Sequence, residues 1–248
     1  MNKYRSLTRP NLPDSPVSHV IISSLYPEII RKLNILNIKT IVTPENTDLP
    51  FSLCYHADMQ ILQTGPGKFI CPENLSAYYN KHLSCLFDTE ITEISALGNQ
   101  YPNDAALNIL IAGNTVIGLQ KNIEQLDFSY DDPIYVKQGY TRCSAIAINE
   151  NTIITDDSGI SSHAEKNGLN CLLTEKGSVI LEGYKGGFIG GCCGMIAPDL
   201  LAVAGSLEYH KSGRDIIMFC RKYGVNIAEL FDGPLLDIGG IVPAACNN

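Results

Sequence analysis

Cys246 stands two residues from the C-terminus, after a Gly-Gly turn and a proline, in the stretch LLDIGGIVPAACNN. A thiol there is either a nucleophile held in a pocket or a residue on a frayed end, because chain ends fray unless something ties them down. Other reactive residue types gather in short clusters, each just before an apolar run. His56 and Asp58 share YHADMQ, Asn103 and Asp104 share YPNDAALN, Arg142 and Cys143 share YTRCS, and Cys192 and Cys193 follow GGFIGG. Asp237 precedes the last Gly-Gly. A cysteine with a histidine in reach can do nucleophilic catalysis, since the base makes the thiolate. Carboxylates can hold a cationic ligand, and an arginine among them would pair the carboxylate of an amino-acid-like ligand.

Each residue also has a plainer reading. His56 can be a hydrogen-bonded structural histidine. Asp58 and Asp104 can cap free backbone N–H groups at strand starts. Cys143, Cys192 and Cys193 can be small buried hydrophobes, and Arg142 can point outward into solvent. Several thiols near His56 and Asp58 would suit a soft metal, but the short fixed ligand spacing of a structural zinc site is missing. No metal and no cofactor is therefore called for. GGFIGGCCG is not GxGxxG, and no Lys-Ser/Thr follows, so it does not read as a nucleotide loop. Glycines suit a place where backbones approach closely.

The elements that must position these clusters repeat. Each cluster leads a short apolar strand, a tight turn, a second strand, a helix-like stretch and a third strand. In one copy the strand Met59–Leu62, the turn Gly65–Gly67 and the strand Phe69–Cys71 precede the helix ENLSAYYNKHL. The next copy turns at Ala112–Asn114. The copy led by Arg142 and Cys143 continues into the helix SGISSHAEKNG and the strand NCLLT. The copy led by GGFIGG continues into SGRDIIMFCRKYG, with Ser212 as N-cap and Gly224 as C-cap. The N-terminal strand, helix and strand lack a leading cluster, and the C-terminal DIGGIVPA is a cluster and strand with no unit after it. Joined, they make a fifth unit. The clusters recur about every 40–50 residues, a propeller-like period. The expected architecture is α/β: a five-fold pseudosymmetric ββαβ propeller of one domain over 1–248, residues 1–16 an extended arm. The C-terminal strand closes the ring and removes its raw edges. The alternative is a plain α/β sheet with coincidental glycine turns.

Such a ring, with HADMQ, YPNDAALN, GGFIGG and LLDIGGIVPAAC at its centre, resembles the pentein fold, and in it a branch of unknown function. Its members include arginine and agmatine deiminases, dimethylarginine dimethylaminohydrolase and amidinotransferases. The resemblance implies a cysteine thiolate from the last unit attacking a guanidinium carbon, acids of the second and third units holding the guanidinium, and a fourth-unit histidine as acid/base. Carried over, Cys246 is the nucleophile and His56 the available acid/base. Asp58, Asp104, Asn103, Arg142, Cys143 and Asp237 line the substrate site. Two departures stand out: TRCS occupies the histidine's place, and Pro243 falls near the usual cysteine position. The implied function is a cysteine-dependent hydrolase or amidinotransferase acting on a guanidino or amidino small molecule. The alternative is a non-catalytic pentein that binds a small molecule or a macromolecular partner.

Composition sets the remaining bounds. The chain has 248 residues, 45% hydrophobic and 18% charged, which is ample for a core. A formal net charge of -8 and no basic run argue against a nucleic-acid partner. No apolar stretch nears the roughly 18 residues that span a bilayer, so no membrane partner is expected. MNKYRSLTRPNLPD is not a signal peptide. A cytoplasmic protein with a small-molecule substrate is expected, and its nine cysteines are expected to be mostly free thiols.

Overall fold

The computed structural model describes residues 3–95, 97–126, 130 and 133–248. An N-terminal strand β1 (Tyr4–Ser6) precedes β2 (Val17–Ile22), α1 (Pro27–Ile35) and β3 (Lys39–Val42). Next come α2 (Ala57–Gln60), β4 (Leu62–Gly65), β5 (Lys68–Pro72), α3 (Glu73–Ser84) and β6 (Glu90–Ile94). The third group is β7 (Leu110–Ala112), β8 (Thr115–Leu119), α4 (Gln120–Gln125) and β9 (Ile134–Val136). The fourth is α5 (Thr141–Ser144), β10 (Ala145–Asn149), β11 (Thr152–Thr155), α6 (Ser158–Lys166) and β12 (Asn170–Leu173). After the short β13 (Val179–Ile180) come β14 (Cys193–Ala197), β15 (Leu200–Val203), α7 (Gly213–Lys222) and β16 (Asn226–Glu229). The chain ends in β17 (Leu235–Leu236), which pairs with β13, and β18 (Val242–Asn247).

Five sheets share one wiring. In β4-β5-β6, β7-β8-β9, β10-β11-β12 and β14-β15-β16 the first pair is antiparallel and the second parallel, bridged by a helix. In the fifth sheet β18 takes the first position, antiparallel to β2, which is parallel to β3, while β1 flanks β18 on its other side. None of these sheets closes on itself. The terminal stretch is thus an interior strand, held on both edges.

Burial sorts the strands. β2, β11 and β14 are buried throughout, whereas the residues of β3, β6, β12 and β16 are exposed or half-buried apart from Ile41. The third strand of each unit is an edge, and polar or charged residues such as Lys39, Glu90, Asn170 and Glu229 sit on it, which discourages pairing with another chain. The helices lie where apolar spacing predicts them. Ile29 and Leu33 of α1 are buried one turn apart, and α3 buries Leu75, Tyr79 and Leu83 at the same spacing. Asp157 caps α6, accepting from the backbone N–H of Gly159 and Ile160 at 2.8 and 3.0 Å. Ser212 precedes α7 but does not cap it; its hydroxyl accepts from Glu175 N–H instead.

One element differs from the sequence expectation in kind. The segment around Met59 begins not as a strand but as the helical turn α2, and the strand starts at Leu62. Thr141–Ser144 is also a helical turn, and Gly190–Cys192 forms a 3-10 turn. Three of the leading clusters are therefore tight turns, which throw consecutive side chains to different sides before the strand begins.

Candidate functional site

The site is built where these turns meet the Gly239-Gly240 bend. Asp58 N–H donates to Gly239 O at 3.0 Å, tying the second unit's turn to the last segment. Gly239 has φ +75°, and a Cβ there would lie 2.4 Å from the Cα of His56. Only glycine allows that approach. Asn108 links three units. Its amide N–H donates to Asp58 O at 3.2 Å and to Cys143 Sγ at 3.0 Å, while its Oδ1 accepts from Cys143 N–H at 3.0 Å.

The Cys143 thiol donates to Asp58 Oδ2 at 3.0 Å. Burial pushes this thiol well up, and the carboxylates of Asp58 and Asp237 push it further. It rests as a neutral S–H. Asp237 accepts from Phe188 N–H at 2.9 Å and Gly239 N–H at 3.2 Å, and its Oδ1 lies 3.8 Å from His56 Nδ1. Burial raises Asp237, opposed by His56. Arg142 is 3% exposed and points inward: Nε donates to Asn11 Oδ1 at 3.3 Å and Nη1 to Gly190 O at 3.1 Å. His56 Nδ1, Asp58 Oδ1 and Arg142 Nη2 are buried with no hydrogen-bond partner among the described residues. A cavity of about 10 Å³ lies among Asn11, Asp58, Gln63 and Arg142, about the room one water needs.

Above this cluster lies an aromatic cover. Tyr140 donates to Asp104 Oδ2 at 2.5 Å and packs beside Tyr101 and Phe188, with ring centroids 5.4 and 6.2 Å away. Phe188 ends a glycine-rich segment that is exposed over residues 182–185 and turns inward at Gly186 and Gly187. Two buried carboxylates hold the end of that segment: Asp237 takes Phe188 N–H, and Asp156 takes Ile189 N–H at 3.1 Å. Burial lifts Asp156 to about 7, with the Ile189 N–H and Lys176 pulling the other way.

Of the residues expected from sequence, His56, Asp58, Arg142, Cys143 and Asp237 come together, and Asp104 joins them through Tyr140. Asn103 does not: it is exposed, accepts from Lys121 Nζ at 3.1 Å, and lines a separate cavity of about 580 Å³ with Ile94, Leu97 and Gln125. Cys246 is not brought to the cluster either. It sits in β18 opposite Arg5 and Val17, fully buried, with its thiol donating to Ser15 O at 3.5 Å. Five residues of nearly extended chain lie between it and Gly240; at about 3.3 Å per residue step that is on the order of 15–20 Å. Its thiol is raised, chiefly by burial. Asn108, Asn11 and Asp156 were missed. An asparagine before the apolar run NILIA was a usable signal for Asn108; nothing local marks Asn11. All nine cysteines are free, Cys192 and Cys193 having sulfurs 3.6 Å apart. Among the described residues no three His, Cys, Asp or Glu side chains converge as metal ligands, and no helix is long and apolar enough to cross a membrane.

No curated protein matches the chain in sequence. Solved structures do match in fold. The inosamine-phosphate amidinotransferase of Streptomyces griseus is 13% identical with a TM-score of 0.57, over 94% of this chain and 97% of that one. The agmatine deiminase of C. jejuni is 11% identical with a TM-score of 0.55, over 92% of this chain and 90% of that one. The DDAH of Pseudomonas aeruginosa, complexed with citrulline, is 9% identical with a TM-score of 0.53, over 94% and 100%. At such identities the likeness is one of fold, the mixed α/β fold of the penteins. A family model described as a family of unknown function, DUF6873, matches residues 20–242, so the chain belongs to that family.

Proposed function

We propose that this protein acts on a small guanidino or amidino compound at the cluster of His56, Asp58, Cys143 and Asp237, with Cys143 rather than Cys246 as the nucleophile. In this reading the five sheets stand as a ring around the cluster, closed by β18, in a cytoplasmic protein of one domain. The observation that carries it is the Cys143 Sγ–Asp58 Oδ2 contact of 3.0 Å beside an Asp58 Oδ1 with no hydrogen-bond partner among the described residues. A thiol, its proton acceptor and an open carboxylate oxygen meet at one point.

The chemistry follows from charge. A guanidinium paired with Asp58 brings a cation to the thiol, which favours the thiolate against the burial that opposes it. The thiol proton passes to Asp58. The thiolate forms a C–S bond to the guanidinium carbon. A C–N bond then breaks as the amine leaves with a proton from His56, which Asp237 orients. Water attacks the same carbon and gives its proton to His56. The C–S bond breaks, the new hydroxyl releases its proton to solvent, Asp58 returns its proton to the departing thiolate, and a ureido product remains. An amine in place of water would take the amidino group instead. The cavity must widen first, and the cover formed by the glycine-rich segment, Phe188 and Tyr140 is where it can.

The test is turnover of a panel of agmatine, arginine, dimethylarginine and guanidinoacetate, read as ureido product and released amine. Product with the parent chain and with Cys246→Ser, and none with Cys143→Ser, supports the reading. No product and no calorimetric binding from any of the panel sinks it, as does activity that survives Cys143→Ser. A second reading, binding without turnover, draws on the small cavity and the neutral buried thiol; saturable binding with no product would select it.

A further inference from the structure

Arg142 carries a buried guanidinium of the chain's own into the middle of the site. Three facts define its seat. Asn11 Oδ1 accepts from Nε, and Asn11 itself is oriented by its Nδ2 donating to Ile111 O at 3.0 Å, which settles which end of the amide faces the arginine. Gly190 O accepts from Nη1. Nη2 faces the space over Gly240, where a Cβ would lie 3.4 Å from it and 3.7 Å from Asp58 Oδ2. No carboxylate among the described residues comes within ion-pair distance of this guanidinium. It is held by neutral oxygens, beside a carboxylate with a free oxygen.

From this we infer that the centre contains a guanidinium subsite, formed by Asn11 Oδ1, Gly190 O and the Asp58 side of the cavity, and that Arg142 occupies it in cis. The ligand class is a planar guanidinium or amidinium cation. The inference rests on the proposed function only for the identity of an external ligand; the subsite itself stands on the Arg142 contacts. An external guanidino compound must compete with Arg142, so its apparent affinity is lowered by the fraction of molecules in which the arginine is seated. Because Asn11 belongs to the N-terminal arm, the arm's seating and the occupancy of the subsite are linked. Asn11 is buried with φ +62°, a left-handed conformation that asparagine tolerates better than most residues, and its backbone turn aims the amide at Arg142.

Chemical rescue tests it. Arg142→Ala removes the occupant and leaves its seat. Guanidinium chloride, far below denaturing concentrations, is titrated against sodium chloride and urea as controls, with thermal unfolding and calorimetry as readouts. The variant should show saturable stabilisation by guanidinium and by methylguanidine, with affinity at least about tenfold above the parent chain. Should the variant be unfolded alone, guanidinium must restore the fold. An Arg142→Ala that stays unfolded with guanidinium, or a folded one that does not prefer guanidinium to sodium, overturns the inference; so does equal binding by parent and variant. The two proposals fail separately. Rescue without turnover of the substrate panel leaves this subsite standing and removes the enzyme, and turnover without rescue does the reverse.

Discussion

Asp156 offers a quantitative test of the electrostatics around the site cover. It is 4% exposed; Oδ2 accepts from Ile189 N–H and Oδ1 has no hydrogen-bond partner among the described residues. Burial lifts its pKa from 3.8 to about 7, and the nearby carboxylates of Asp157 and Asp237 add to the rise while Lys176 opposes it. The folded state therefore keeps the proton to higher pH than the unfolded chain does. Stability from this group is complete below about pH 4 and is lost as pH rises toward 7. At about 1.4 kcal/mol for each tenfold change in proton affinity, the loss is about 4 kcal/mol at most. Asp156→Asn keeps an acceptor for Ile189 N–H, never ionises, and should show none of this loss. Urea denaturation of both proteins from about pH 3 to about pH 8.5, which brackets the window of roughly 4 to 7, reads the difference. The variant should match the parent at the acid end and exceed it by about 2–4 kcal/mol above pH 7. A difference that stays flat within about 0.5 kcal/mol across the range refutes the buried-charge account.

Three further outcomes follow from the contacts. Cys246→Ser should leave ligand binding and turnover unchanged while costing about 1–2 kcal/mol in urea, because it puts a hydroxyl in a fully buried site remote from the cluster; a matched loss of binding would restore Cys246 to the site. In thiol labelling of the native chain, Cys85, the exposed cysteine, should react first, with buried Cys143 and Cys246 about 100-fold slower or more, as their raised thiols and burial require; peptide mapping of the adduct checks the order. Tyr140→Phe strips Asp104 Oδ2 of its 2.5 Å partner and should cost about 1–3 kcal/mol in the same denaturation assay, whereas a neutral result would mean water replaces the hydroxyl freely.

Much of the fold was legible because its signals are local. The helix read at ENLSAYYNKHL is α3 within a residue, with Leu75, Tyr79 and Leu83 at helical spacing, and the one read at SGISSHAEKNG is α6, with Ile160 and Ala164 one turn apart. Gly113 and Gly67 mark hairpins through positive φ. The leading clusters were harder. Four residues are too few to show a period, so Met59 and Gln60 read as the start of the strand Met59–Leu62; the helical turn of ADMQ goes with Asp58 N–H reaching Gly239 O, a contact across some 180 positions of sequence that no local pattern records. Ser212 looked like a cap, yet Glu175 N–H claims its hydroxyl, and Asp157 was the cap that mattered.

The sequence by itself determined the repeated unit, the turn positions, the order of polar clusters and the fact that its last strand belongs to the fold. Hydrophobic alternation and glycine placement act within a few residues, so one strand of text carries them. Only the tertiary structure decided which thiol meets the carboxylates. Cys246 and Cys143 are equally cysteine in the text, but β18 is paired on both edges and must run extended, which carries Cys246 past the centre. Cys143 sits on a turn, where the chain reverses inside a few ångströms and sets its sulfur against Asp58. Arg142 likewise could have faced solvent; Asn11 and Gly190, more than 45 residues away on either side, turn it inward.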